Sequence, residues 1–139
     1  MKNKTWVLVA AALVVYAAFT LLSGGKERQV VKTFEAHSAQ MHQEIEDYLE
    51  HDITPLGVEL NAKKIGIWKD GLMVEYTMET WGSTYYGVYF SLNDVPLAFQ
   101  NTDAALTEES GVWTWTAEGD NHGRTYRLEP QWFYFEASF

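Results

Sequence analysis

Hydrophobic and polar residues form three successive patterns along this chain. The first is an apolar run without charged residues from Trp6 to Leu22, with Lys2 and Lys4 before it and Lys26 after it. At about 1.5 Å per residue, a helix of this length covers roughly 25 Å, which is near the lower limit for crossing a hydrocarbon core. The run therefore predicts one membrane span, residues 6–22, within an N-terminal anchor of residues 1–25.

Two fates stay open for this anchor. Ser23, Gly24 and Gly25 are small residues of the kind that precede a signal-peptidase site, so the segment could be a signal peptide. The apolar run exceeds the usual length of a signal-peptide core, which favours an anchor that is retained. The short tail before the run favours a single-pass protein of the cell membrane. Its C-terminal domain is then expected outside the cytoplasm, in the periplasm or the extracellular space.

The second pattern, from residue 26 to about 52, has the period of an amphipathic helix. The apolar residues that recur at spacings of three, four and seven are Val31, Phe34, Met41, Ile45, Tyr48 and Leu49. We expect Gly24-Gly25 to separate this helix from the anchor and Thr54-Pro55 to end it, because proline disfavours helical geometry in the residue before it. The helix is long for a small domain, so residues 26–33 could stand clear of the sheet as a stalk.

The third pattern, from about residue 56 to 139, has the period of strands. Within residues 72–79, apolar residues occupy every second position: Leu72, Val74, Tyr76 and Met78. The positions between them are mostly polar and are occupied by Met73, Glu75, Thr77 and Glu79. This alternation predicts an antiparallel strand with one apolar and one wet face. Asp70-Gly71 favours a tight hairpin with the preceding segment, residues 64–68.

The remaining segments complete a sheet of about six strands. Residues 85–92, 112–116, 124–128 and 131–135 are the other strand candidates, and residues 103–109 are expected to form a short helix before Gly111. The predicted fold class is therefore α+β. One long amphipathic helix packs on an antiparallel meander, and residues 26–139 form a single domain.

Charge and composition restrict the partners. All 19 acidic residues follow the apolar run, against eight Lys and Arg (the ten of the chain less Lys2 and Lys4), so residues 26–139 carry a formal charge near −11. This charge repels nucleic acid, which we do not expect as a partner. The chain has no cysteine, so disulfides and cysteine-ligated metals are excluded.

Residue types that support catalysis do not form a recognisable motif. Ser83 lacks the second glycine of a nucleophile elbow, and no phosphate-binding glycine loop occurs. His42 and Glu46 are weak metal candidates, because their i, i+4 spacing puts both on one helical face. We expect no enzyme activity, no metal and no cofactor.

Aromatic residues exceed what a small core requires. Of 21 in the chain, 18 follow the apolar run, and in residues 85–90 and 132–135 they occupy both faces of a strand. Outward Tyr and Trp are favoured where a partner covers them, whereas a second packing layer over that face would bury them instead. The candidate binding residues are Trp81, Tyr85, Tyr86, Tyr89, Trp113, Trp115, Trp132 and Tyr134.

These patterns favour a membrane-anchored accessory or scaffolding subunit of a cell-envelope complex. The expected partner is a protein, bound through the aromatic-rich surface of the sheet. The alternative is an extracytoplasmic module that binds a glycan or a small apolar solute on a concave aromatic sheet. A pocket lined by Trp81, Tyr86 and Trp113 would favour the alternative.

Overall fold

The structure, a computed structural model, describes residues 2–57 and 62–139, with side chains from residue 24 onward. Its elements in chain order are α1 (Lys2–His51), β1 (Lys64–Trp68), β2 (Met73–Trp81), β3 (Thr84–Ser91), β4 (Thr107–Glu109), β5 (Val112–Thr116), β6 (His122–Glu129) and β7 (Trp132–Ser138). The strands form one antiparallel sheet with the helix packed on it. This confirms the α+β class, with seven strands where about six were expected.

Helix α1 continues through Gly24 and Gly25, so the expected separation into two helices is wrong. Each glycine costs about 1 kcal/mol relative to alanine, but the packing of the following turns outweighs a cost of that size. The C-terminal end at His51 agrees with the prediction. Asp52 has a left-handed φ of 56°, and its N–H donates to the carbonyl of Tyr48 with an N···O distance of 3.1 Å, as in an αL cap.

The predicted membrane span lies outside the residues whose side chains are described. In the part of the chain described in full, no helix is both long and apolar enough to cross a bilayer. The anchor at residues 6–22, its orientation and the localisation therefore stay predictions.

The sheet consists of two meanders that meet at its centre. The strand order is β1-β2-β3-β7-β6-β5-β4, in which sequential neighbours pair within each half and β3 pairs with β7. Residues 92–106, named here the crossing segment, lead from β3 at the centre to β4 at the far edge.

The predicted hairpin between β1 and β2 is present, with Trp68 opposite Met73. Its turn contains three successive residues with positive φ: Lys69, Asp70 and Gly71. Asp and Gly tolerate this geometry, whereas Lys69 is held in it by the crossing segment. The Lys69 amide donates to the side chain of Asn101, and its Nζ donates to the carbonyl of Thr102, each at 2.8 Å.

Helix α1 covers one face of the sheet. Its buried apolar residues are Val30, Phe34, Met41 and Ile45. They pack on residues of the central strands: Val74, Tyr76, Met78, Tyr86, Val88, Phe90, Trp132 and Tyr134. The predicted stalk at residues 26–33 is wrong, because Val30 is fully buried and Lys26 Nζ lies 2.8 Å from Glu79 Oε2 on β2.

The opposite face of the sheet is buried as well, which corrects the predicted wet face of β2. Met73, Glu75 and Thr77 are at most 3% exposed. The crossing segment lies over this face and adds Ala98 and Phe99 to a second apolar cluster. The sheet residues of this cluster are Met73, Tyr89, Trp115, Phe133, Phe135 and Ala137.

The short helix expected at residues 103–109 does not form. Residues 102–106 are irregular, and Thr107–Glu109 is strand β4. The crossing segment passes four strand spacings of about 4.8 Å, and an extended chain covers about twice the distance per residue that a helix does. An extended course therefore suits the span better.

A substitution in the crossing segment tests this second layer. Phe99 is 4% exposed and its ring centroid lies 5.6 Å from that of Phe135. Because Phe99→Ala leaves a cavity, we expect it to lower the free energy of unfolding by about 3–5 kcal/mol in chemical denaturation. Val95→Ala in the same segment, at an exposed side chain, is the control and should cost less than about 0.5 kcal/mol. Equal losses for the two variants would contradict the second layer.

Candidate functional site

Most of the candidate aromatic residues lie in the core. Those with at most 4% exposure are Tyr86, Tyr89, Trp115, Trp132 and Tyr134. Trp113 is partly buried, whereas Trp81 and Tyr85 are 41% and 38% exposed. The helix and the crossing segment cover the five buried residues, so Trp81, Tyr85 and part of Trp113 are the candidates that reach the surface.

Trp132 and Tyr89 show how the two faces are filled. Trp132 lies beneath α1, with its ring centroid 5.5 Å from that of Phe34 and 5.6 Å from that of Phe90. On the other face, the Tyr89 ring stacks on Phe133 at 5.3 Å, and its hydroxyl is 2.8 Å from that of Thr125. Both rings therefore have partners within this chain.

The three residues of the predicted glycan pocket do not share a cavity wall. Tyr86 belongs to the cluster beneath α1, whereas Trp113 packs on the opposite face with its ring 6.4 Å from that of Phe133. The sheet thus separates these two rings.

His42 and Glu46 lie beside a cleft between α1 and the β6–β7 turn. His42 Nε2 pairs with Glu129 on β6, and its imidazole stacks on Trp132 at 5.6 Å with an interplanar angle of 3°. Glu46 lines the same cleft of about 180 Å³. Among the residues that the structure describes, no three His, Cys, Asp or Glu side chains are placed to hold a metal ion. No local sequence pattern indicates Glu129 as the partner of His42, because the two residues are 87 positions apart.

A second cleft, of about 290 Å³, contains residue types that occur in hydrolases, including His122 and Ser138. They are opposite each other on β6 and β7. However, His122 Nδ1 is 2.7 Å from the carbonyl of Asp120, and the Ser138 hydroxyl is 2.8 Å from that of Thr84. No hydrogen bond among the described side chains joins the serine to the histidine, as an activated nucleophile requires.

An ionic cluster beside this cleft fastens the first described turns of α1 to the sheet. Arg124 donates to Glu136 at 2.9 Å and also to Glu27 of the helix. The Tyr126 hydroxyl donates to Glu27 at 2.8 Å, and that of Tyr134 donates to Glu136 at 3.0 Å. Burial opposes the charge of Arg124, but Glu136 and Glu27 outweigh it and raise the pKa of the guanidinium. Each charged group has a partner, which indicates a structural role.

The end of the domain that contains the C-terminus of α1, named here the distal end, has an open groove of about 580 Å³. Leu49 lines both this groove and the His42 cleft. Leu72 and Leu92 lie beside each other, because the Leu92 N–H donates to the Leu72 carbonyl at 3.0 Å. The three leucines are 37–49% exposed.

Three more exposed apolar side chains lie in the segments that follow α1 and β3, and three acids line the groove. Ile53 and Leu56 follow the end of α1 and are 55% and 72% exposed, and Val95 follows β3 at 45%. The acidic residues of the groove are Glu50, Asp52 and Asp70. Exposed apolar patches with a polar rim are typical of a surface that another molecule covers.

Among the carboxyl groups that the structure describes, that of Glu75 has the most perturbed pKa. The alternation along β2 predicted a wet face for this residue. It is 1% exposed beneath the crossing segment, and its Oε2 has no hydrogen-bond partner among the described residues. Burial raises the pKa of its carboxyl to about 7, although hydrogen bonds from Gln100 and Thr77 and the charge of Lys64 act in the other direction. A substrate has no access to this group in the folded domain.

Glu75 makes stability depend on pH. Its carboxyl titrates near 4.5 when exposed and near 7 in the fold, so the folded state binds the proton more tightly. Stability therefore falls as pH rises from about 4.5 to 7, by on the order of 3 kcal/mol. In Glu75→Gln we expect most of this fall to disappear in denaturation curves measured across that range. Glu108→Gln, at an exposed position of β4, should keep the wild-type slope, and an identical slope in both variants would contradict the assignment.

Comparison with protein-family models, curated proteins and solved structures found no match to this chain. Among the described residues, the distal end combines exposed apolar side chains with an open groove lined by three acidic residues. It is the candidate functional site.

Proposed function

We propose that the chain is a membrane-anchored accessory or scaffolding subunit of a cell-envelope complex. In this proposal residues 6–22 hold it in the membrane as a single-pass protein, and its domain lies outside the cytoplasm. The domain binds a partner protein through the distal end. This surface replaces the aromatic strand surface, whose rings are mostly buried.

The exposed leucines of the distal end carry this proposal. Leu49 and Leu92 line one groove, and Leu72 lies beside Leu92. These leucines stay exposed, although the domain has two apolar clusters in which other large apolar side chains are buried. Burying an exposed leucine contributes about 25 cal/mol per Å² of apolar area, so a partner that covers all three gains several kcal/mol. Protein interfaces commonly have an apolar centre surrounded by a polar rim.

The charged residues of the distal groove indicate the chemistry of the partner. The groove is lined by Glu50, Asp52 and Asp70, and His51 Nε2 lies 3.8 Å from the Glu50 carboxylate. A complementary partner surface therefore combines apolar side chains with Lys or Arg. Binding is then expected to weaken with salt, because exposed charges are screened.

The length of α1 determines where the partner would meet the domain. Lys26 to His51 is 26 residues, which at 1.5 Å per residue covers about 38 Å. The distal end is thus about 38 Å from the point where the domain begins. A partner at that end would lie well clear of the bilayer.

Site-specific photo-crosslinking in intact cells tests the proposal. A photoreactive residue at Leu92 should give one discrete adduct with a partner protein, whereas the same residue at Glu108 on the edge strand β4 should give none. In the protein with the photoreactive residue at Leu92, the additional substitution Leu72→Asp should lower the yield of the adduct at least about tenfold. The reason is that an unpaired carboxylate buried in the interface costs more than about 1.4 kcal/mol. Leu72→Met is the matched control and should leave the yield unchanged.

The outcomes separate clearly. Loss of the adduct in Leu72→Asp with an unchanged circular dichroism spectrum supports binding at the distal end. Equal yields from Leu92 and Glu108, or no adduct from either, would overturn it.

A further inference from the structure

The end of the domain where the first described turns of α1 meet the sheet is named here the proximal end. Lys26 binds Glu79 near the end of β2, and Glu27 binds Arg124 near the start of β6. The β2–β3 turn therefore lies beside the start of the domain helix. The N–H of Phe139 donates to the carbonyl of Ser83 in this turn at 3.2 Å, which places Phe139 there too.

Among the described residues, the large exposed aromatic side chains lie at one end of the domain and the large exposed aliphatic side chains do not. The large exposed aromatics are Trp81, Tyr85 and Phe139, at 38–44%, and all three are at the proximal end. The large exposed aliphatics lie elsewhere, and they are Leu49, Ile53, Leu56, Ile67, Leu72, Leu92 and Val95. Tyr85 and Phe139 contact each other with ring centroids 5.7 Å apart.

The proximal aromatics reach the level at which the apolar run ends. Leu22 precedes Lys26 by four residues, or about 6 Å of helix. Trp81 follows Glu79, the partner of Lys26, by two residues, or about 7 Å of strand. Tyr76 of β2 contacts Glu44 and Glu79 contacts Lys26, so β2 leads toward the start of the domain helix. Since α1 continues through Gly24 and Gly25, both distances lead away from the domain at this end.

We propose that the proximal end, through Trp81, Tyr85 and Phe139, lies in the headgroup layer of the bilayer that holds residues 6–22. Aromatic side chains concentrate at that depth, because their rings are apolar and Trp and Tyr keep a polar group for water. The inference rests on the membrane anchor of the proposed function and not on the partner protein. Glu118 and Asp120 lie in the β5–β6 loop at the same end as Lys26 and the exposed Arg28. Because this end carries charges of both signs, zwitterionic lipid is the fitting surface.

Because the chain has no cysteine, single labels can be placed without altering other residues. Ser83→Cys puts a nitroxide in the exposed β2–β3 turn, and Asn93→Cys puts one in an exposed turn at the distal end. The full chain is reconstituted in phosphatidylcholine vesicles. We expect the Ser83 label to collide with a water-soluble nickel complex severalfold less often than the Asn93 label, and more often with oxygen. Equal collision rates at the two sites would overturn the proposal.

A second variant tests the role of the rings. Combined Trp81→Ala, Tyr85→Ala and Phe139→Ala should raise collisions of the Ser83 label with the nickel complex severalfold while the chain still floats with the vesicles. The matched control replaces Leu49, Leu72 and Leu92 with Ala and should leave the Ser83 label unchanged. A chain that does not float overturns both the anchor and this proposal. A floating chain with an aqueous Ser83 label overturns this proposal alone.

Discussion

The antiparallel pairing of β3 with β7 joins the two meanders into one sheet, and the remaining architecture depends on it. This pair lies at the centre of the sheet, beneath α1 on one face and the crossing segment on the other. The crossing segment exists because β3 and β4 are consecutive in the chain but four places apart in the sheet. This topological constraint therefore produces the second apolar layer, which buries Tyr89 and Trp115. Helix α1 buries Tyr86, Trp132 and Tyr134 on the other face.

Polar groups hold the two covers in place. On the helix side, Arg124 links Glu27 of α1 to Glu136 of β7. On the opposite side, the backbone and Nζ of Lys69 bind the crossing segment. Glu75 beneath that segment is the exception, because its burial favours the neutral carboxyl and opposes stability at higher pH.

With both faces covered, the two ends of the domain carry exposed apolar side chains of different types. Leu49, Leu72 and Leu92 lie at the distal end, where acids line the groove, and Trp81, Tyr85 and Phe139 lie at the proximal end. Helix α1 connects the two ends and determines their separation. The proposed division between a partner-facing end and a lipid-facing end follows from this arrangement.

Local sequence patterns determined the elements of this protein, because helical and strand periods and turn residues act over a few positions. They predicted the helix end near His51, the β1–β2 hairpin at Asp70-Gly71 and the α+β class. Only the tertiary structure decided which faces are covered, since an alternation such as that around Glu75 is the same whether a distant segment covers it or water does. The contacts that place the candidate residues are also long-range: His42 and Glu129 are 87 positions apart, and Glu27 and Arg124 are 97 apart. No local pattern contains such a pair, because each forms only when α1 packs against β6.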